Sequence, residues 1–380
     1  MRGDGCGGHR GRVMSGSRAT RVVMRIWLAP SAYHPALGGV EHVTARLAQE
    51  LVGRGHDVLV VTNQWPDGVP DVETVFDIPV RRLHFTQLGR HPKRWPQHLA
   101  RSRAVRNGLE ALTQPDVVHV HCVAGQAVPL ARYCRRHRVR LVVTTHGETA
   151  MDEGRAYQRS VLRRNALRMT AWQASELTAC SRWTRDHAAS LAPAFARAHV
   201  VHNGVDVALW SGLPDISVPV FGAYGRHVPQ KGFDILVAAF RLVQQRLPTA
   251  QLLLGGAGSQ TELIRSAAGP GVTFLGRLDP DGVRQLLGAV RVVVVPSVIE
   301  PFGLVALEAL AAGRRLVYSA VGGLQDLGHG QGWPAPAGDV SALAEAMYRA
   351  HVERHRGPTP GRLAEQYSWS AVCDEYLALY

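Results

Sequence analysis

Residues 25–53 read RIWLAPSAYHPALGGVEHVTARLAQELVG, and the fold follows from how this stretch is divided. The run 25–30 is short and apolar without alternation, the signature of a strand buried on both faces. A loop holding Gly38 and Gly39 follows. Apolar residues then recur at Val40, Val43, Leu47, Leu51 and Val52, a helical spacing. Gly55 and His56 end that helix, and DVLVVT at 57–62 is the next buried strand. Further strands are expected at 80–85, 117–121, 141–145 and 177–179. Strands alternating with helices predict a parallel sheet covered on both faces.

The series restarts after residues 202–219, where Gly204, Gly212, Pro214 and Pro219 suit an interdomain linker. Strands are expected at 218–224, 251–254, 272–275, 292–296 and, as the last, 316–318. Helices are expected at 233–246, 261–268, 283–287 and 305–312. A Gly/Pro break at 357–361 precedes a final amphipathic stretch, 362–380. The expected organisation is α/β: residues 24–205 and 206–361 as two doubly wound Rossmann-like domains, with 362–380 as a closing helix. Residues 1–23, Gly- and Arg-rich without apolar periodicity or a signal-like apolar core, are expected to be a disordered basic extension.

Composition narrows the function classes. With 380 residues, 46% hydrophobic and 19% charged, wholesale disorder is excluded. No apolar run approaches the length of a membrane-spanning helix. The cysteines Cys6, Cys122, Cys134, Cys180 and Cys373 form no C-x-x-C pair, which suits a reducing, cytoplasmic setting. The net charge of +13 points to nucleic acid, an anionic membrane surface or a phosphate-bearing substrate.

Three constellations carry chemistry. Gly38-Gly39, between strand and helix, lets backbone approach a ligand at a helix N-terminus, or is a plain tight turn. Gly225-Arg226 follows a strand and Lys231-Gly232 precedes a helix, so two cations share one loop. They could clamp a diphosphate or belong to a solvated loop. Third is EPFGLVALE at 300–308. Phe302-Gly303-Leu304 would expose backbone N–H groups where a helix begins. Glu308 lies within an apolar helix, where a carboxylate needs a hydrogen-bonding partner: a ligand's hydroxyl pair or a core Arg.

In order and spacing these motifs resemble the retaining glycosyltransferases of the GT-B fold, family 4 type. The likeness extends to G-H-D-V at 55–58, H-N-G-V-D at 202–206, G-G-A-G at 255–258, G-G-L-Q-D at 322–326 and the S-W-x5-E-Y closing helix. It implies a central cleft, a C-terminal helix crossing back to the first domain, and a nucleotide-sugar donor as co-substrate, with no cofactor and no metal. The donor-binding set it implies is Gly38, Gly39, Asn203, Gly225, Arg226, Lys231, Gly256, Arg277, Leu278, Glu300, Phe302, Gly303, Leu304 and Glu308. Within it, Gly39, Arg226 and Lys231 would meet the diphosphate, Glu300 the sugar hydroxyls, Glu308 the ribose, and Arg277-Leu278 the base. Catalysis would rest on Glu300, His146, Arg226 and Lys231, with His146 touching the sugar. His121 is read equally as structural or acceptor-facing.

The implied reaction is transfer of a hexosyl unit, from a UDP- rather than a GDP-sugar, to a hydroxyl of a lipid, glycan or small natural product. Attack would come on the same face, with the leaving phosphate as base. No D-x-D motif is present, so Arg226 and Lys231 would stabilise the leaving group by electrostatics. Two motifs depart from the family pattern: Arg315 stands at a proline position, and Asp326 replaces a glutamate.

The alternatives are a GT-B sugar-nucleotide epimerase, which lacks the E-P-F-G-x4-E array, and a basic module binding nucleic acid or a membrane. Against nucleic acid, cations do not alternate with aromatics and no nucleic-acid motif appears. The extension carries +4 of the charge, from five Arg and one Asp. Much of the remainder gathers at 90–106, where Arg90, Lys93, Arg94, Arg101, Arg103 and Arg106 surround Trp95, and at 132–140 and 155–168. Those stretches are ordinary solvated helix faces, a surface for an anionic leaflet, or a site for an acceptor phosphate.

Overall fold

The computed structural model describes residues 22–36, 38–66, 68–85, 95–151, 156–328, 330–353 and 360–380. The expected disordered extension therefore lies outside the described residues except for its last two, as do residues 90–94 of the basic stretch.

Two sheets organise the chain. The first holds β1 (Arg25–Pro30), β2 (Asp57–Asn63), β3 (Val72–Val75), β4 (Ile78–Leu83), β5 (Val117–His121), β6 (Arg140–Thr145), β7 (Glu176–Ala179) and β8 (His199–Val200). Their order is β3-β4-β2-β1-β5-β6-β7-β8, parallel except for β3, which runs antiparallel to β4. The second holds β9 (Val220–Tyr224), β10 (Gln251–Gly255), β11 (Val272–Gly276), β12 (Val292–Val295), β13 (Arg315–Ser319) and β14 (Trp333–Ala335), all parallel, in the order β11-β10-β9-β12-β13-β14. Each order reverses once, between β1 and β5 and between β9 and β12. The crevice beyond the C-terminal strand ends at such a switch point is where open α/β sheets bind ligands.

The expected strands and helices form within a few residues of their predicted ends. Three strands were illegible in the sequence, and each is short and lies at or next to a sheet edge. β3 reads VETV and is half exposed, β8 has 2 residues, and β14 reads WPA. The strand at 315–319 is accordingly not the last. Pro334 hides β14, yet proline is tolerated on an edge strand, where its missing N–H faces no neighbour.

The closing stretch is two helices, Pro360–Tyr367 and Trp369–Leu377, rather than one. The break falls at Ser368, whose hydroxyl caps the second helix by accepting from Ala371 N at 3.1 Å. That helix returns to the first sheet: Trp369, Val372, Cys373 and Tyr376 share a core with Ile26, Leu28, Val43 and Val60. Burying each large side chain there contributes about 1.5–3 kcal/mol. Gly204 marks the crossing, because a Cβ on it would stand 2.6 Å from the Trp369 ring. Arg54 adds a salt bridge to Asp374 and donates to Ser370 O at 2.6 Å.

Both departures from the family pattern have partners. Arg315 donates to three carbonyls, Ala350 and Glu353 at 2.7 Å and His351 at 3.0 Å. It thereby caps the C-terminus of the Val340–Val352 helix. Asp326 accepts from Arg182 N at 3.2 Å, joining the two sheets' loops.

Candidate active site

β12 is buried along its length and delivers residues 296–303 to the switch point of the second sheet. Gly303 starts the Leu304–Ala311 helix with φ 104°, where a side chain would be strained and its Cβ would meet Leu324 Cδ2 at 2.5 Å. Glu300 is 7% exposed. It accepts from Lys231 Nζ at 2.6 Å and from Ser297 Oγ at 2.9 Å. The Lys231 loop is held in register because Val298 N donates to Gln230 O at 2.8 Å. A Cβ on Gly232, with φ 63°, would run into Pro296 O at 2.2 Å.

Arg226, by contrast, is exposed and its guanidinium has no hydrogen-bond partner among the described residues. The two cations of one loop are thus used differently: one is engaged with a carboxylate, the other is free. Arg226 lies near Glu41, a residue not singled out from sequence. Burial raises the Glu41 carboxyl and the Arg226 charge draws it back.

The partner of Glu308 within the protein is a phenol rather than the core Arg. Tyr224, at the end of β9, donates to it through its hydroxyl at 2.5 Å. Burial pushes the Glu308 carboxyl up to about 7, and Tyr224 well above the phenol range. Tyr224 pairs in register with Gly255 on β10. Beside it Gly225 N donates to Gly255 O at 3.1 Å. A Cβ on Gly256 would stand 1.8 Å from Gly225 O, so the two glycine loops are in direct backbone contact. Leu278 packs on Gly255, and Arg277 is exposed beside it.

The first sheet supplies the opposite wall. Gly38 is extended, so the turn does not demand glycine for its dihedrals. A Cβ on Gly39 would be 3.4 Å from Leu304 Cδ1, which puts this loop against the N-terminus of the Leu304–Ala311 helix. Gly147 has φ 93° and lies so close to Pro301 that a Cβ would stand 2.3 Å from Pro301 Cγ. His146 is therefore next to the Glu300 loop. Its Nε2 is 3.0 Å from His121 Nδ1. Glu148, also not singled out, ties this wall together by accepting from Val123 N at 3.0 Å, His146 N at 2.9 Å and Thr145 Oγ1 at 3.1 Å.

The structure thus brings Gly39, His146, Lys231, Glu300 and the backbone of Phe302, Gly303 and Leu304 to one interface between the sheets. Besides Glu300, two residues of the implied set have buried side chains. The Phe302 side chain is 3% exposed and packs on His202, leaving its backbone only. Asn203 is 5% exposed. Its Oδ1 is buried without a partner among the described residues, at the crossing point beside Gly204.

Away from this cleft, α2 (Trp95–Glu110) and α3 (Ala127–His137) enclose a groove of about 630 Å³. Arg103, Arg106, Arg132, Arg135 and Arg136 line it over an apolar floor that includes Leu109 and Tyr133. Among the described residues, no group of three or more His, Cys, Asp or Glu could hold a metal ion. None of the described helices is long and apolar enough to cross a membrane.

Residues 37–209 match the model of Glycosyltransferase Family 4, and residues 218–351 that of Glycosyl transferases group 1. A D-inositol 3-phosphate glycosyltransferase of Mycolicibacterium vanbaalenii is 30% identical, covering 90% of this chain and 85% of its own. The chain belongs to this glycosyltransferase family. A glycogen synthase of Mycobacterium tuberculosis is 29% identical over 94% of each chain. Among solved structures, the glycosyltransferase shares its fold with sucrose-phosphate synthase from Thermosynechococcus elongatus. The TM-score is 0.74 at 23% identity, covering 94% of this chain and 98% of that one. It also matches HepE of Anabaena, solved with UDP and glucose, at TM-score 0.73 and 21% identity, covering 93% and 98%. The glycosyltransferase therefore has the two-domain GT-B fold.

Proposed function

We propose that this glycosyltransferase moves a hexosyl unit from a UDP-sugar to an acceptor hydroxyl, with retention at C1 and without a metal ion. One observation carries the reading: the Lys231–Glu300–Ser297 cluster lies at the N-terminus of the Leu304–Ala311 helix, across from Gly39. Backbone N–H groups at that helix end and the free Arg226 suit a diphosphate. Lys231 would turn from Glu300 toward the phosphate when donor binds, leaving Glu300 to accept from sugar hydroxyls. Glu308 would accept from the ribose hydroxyls, Gly256, Arg277 and Leu278 would border the base, and His146 would face the sugar.

Ser297 would still hold the Glu300 carboxylate once Lys231 has turned away, which favours positioning over nucleophilic attack. In the route we favour, the acceptor oxygen forms a bond to C1 on the face that the diphosphate leaves. The C1–O bond to phosphate breaks, and the acceptor proton passes to a phosphate oxygen. Lys231, Arg226 and the helix N-terminus meet the charge that develops, so no cation is required. The UDP and glucose bound to HepE support the choice of donor.

The test is a thermal-shift panel of nucleotide sugars, then UDP release with added acceptor and excess chelator. A UDP-sugar should raise the midpoint most, and Glu300→Ala and Lys231→Ala should lower release sharply. Isomerised donor without free UDP would identify an epimerase instead. The product's anomeric coupling by NMR reports retention.

We also propose that the arginine groove between α2 and α3 rests on the anionic inner leaflet of the cytoplasmic membrane, each cation near the surface being worth about 1 kcal/mol. Co-sedimentation with phosphatidylglycerol vesicles but not phosphatidylcholine vesicles is expected, and should be lost in Arg103→Gln/Arg106→Gln/Arg136→Gln. Equal recovery with both lipids would exclude it. The domain limits at 205 and 361 are part of the same proposal, checked by limited proteolysis.

A further inference from the structure

Three imidazoles run from beneath the C-terminal helix to the cleft. His119 and His121 lie on one face of β5, two residues apart. His119 Nδ1 is 2.6 Å from the Tyr380 hydroxyl, and its Nε2 is 2.6 Å from Thr144 Oγ1. The His119 and His121 rings are 4.0 Å apart between centroids. The His121 and His146 rings follow at 5.3 Å, inclined by only 19°. His119 and His121 are fully buried, whereas His146 is partly exposed at the Pro301 loop. Burial holds His119 and His121 well below the usual histidine range, and His146 down to about 4. At neutral pH each ring carries one proton.

A single proton therefore lies between His121 Nδ1 and His146 Nε2. If His146 donated it, the remaining proton of His121 would sit on Nε2, which is buried and meets no partner among the described residues. If His121 donates it, the unpartnered Nε2 is only a lone pair. Orphaned buried N–H groups are rarer than under-used acceptors, which favours the second arrangement. His146 must then carry its own proton on Nδ1, the nitrogen with no hydrogen-bond partner among the described residues.

We propose that His121 is a positioning residue for sugar transfer: its Nδ1–H fixes His146 as the Nδ1–H tautomer and so makes His146 a neutral hydrogen-bond donor at the cleft. The chemical partner is an oxygen of the transferred sugar. The His119 ring, held by Tyr380 and Thr144, supports His121 from behind. This inference rests on the reading of His146 as sugar-facing.

The test uses the full chain labelled with 15N-histidine. Long-range proton–nitrogen correlation distinguishes protonated from bare ring nitrogens, and His146 is assigned by its loss in His146→Ala. The wild type should show His146 protonated on Nδ1 and bare on Nε2. In His121→Asn, whose amide N–H can replace the Nδ1 donor, that tautomer should persist. In His121→Leu it should give way to Nε2–H. With UDP-glucose as probe, kcat for UDP release should fall about tenfold in His121→Leu with donor KM unchanged, and recover in His121→Asn. A wild-type His146 protonated on Nε2 overturns the proposal, as does a tautomer that ignores His121→Leu. Should His146→Ala leave UDP release intact, the sugar-facing reading of His146 fails, whatever tautomer the spectrum shows.

Discussion

Glu300 and Glu308 are eight positions apart, on either side of one helix start, and their surroundings differ in kind. Glu300 is ion-paired with Lys231 and bonded to Ser297. Glu308 faces no cation; its partner is the neutral Tyr224, and burial raises its carboxyl to about 7. A carboxylate paired with a cation is opened to other donors when a ligand takes that cation away. One paired with a phenol and raised by burial can take up a proton near neutrality, so under the proposed function the first would exchange its cation with the donor and the second would read hydroxyls.

The contrast can be broken by substitutions at five residues. Lys231→Ala should have the largest effect, a loss of about a thousandfold in kcat, because it removes the cation facing the leaving group. It also leaves Glu300 buried and unpaired, at about 2 kcal/mol in stability after allowing for partial exposure of the pair. Adding Glu300→Gln should restore the melting temperature and not the turnover, a double-mutant cycle read by calorimetry and UDP release. Arg226→Ala should lower kcat about a hundredfold with little change in melting temperature, since its exposed guanidinium has no hydrogen bond among the described residues to lose and acts only through its charge on Glu41.

Glu308→Gln is expected to raise the donor KM at pH 8 about tenfold, one hydrogen bond to a charged group. In the wild type that KM should fall as pH rises through about 7, as Glu308 ionises, and the variant should be flat. Stability runs the other way. The carboxyl's folded pKa is raised, so its contribution is full below the unfolded value and is lost as pH climbs toward 7. The variant should therefore gain on the wild type in thermal melts above pH 7. Tyr224→Phe, the mildest change, removes the hydrogen bond that lowers Glu308 and should move the midpoint of the KM profile to higher pH.

Periodicity sufficed for elements with strong patterns: β5 at 117–121 and the Phe233–Arg246 helix fall where the apolar spacing sets them. It failed for β3, β8 and β14, because short edge strands bury too little to leave a pattern. In the cleft, Lys231 and Glu300 were recognisable as residues of the right chemistry, yet their pairing across 69 positions was not. Tyr224, Glu41 and Glu148 passed unnoticed as an apolar strand end and two helix-start acids. Phe302 belongs to a motif but spends its side chain on the core.

The sequence by itself determined the alternation of strands and helices, the restart after the linker, the glycine positions and the family, all of which depend on local spacing. The +13 charge was in the sequence too, but its division into a free Arg226, an engaged Lys231 and an arginine groove was not. Tertiary structure alone decided that division, the neutrality of the histidine row and the partner of Glu308. A side chain's charge state and availability depend on how far it is buried and what it faces, and both are set by residues distant in the chain.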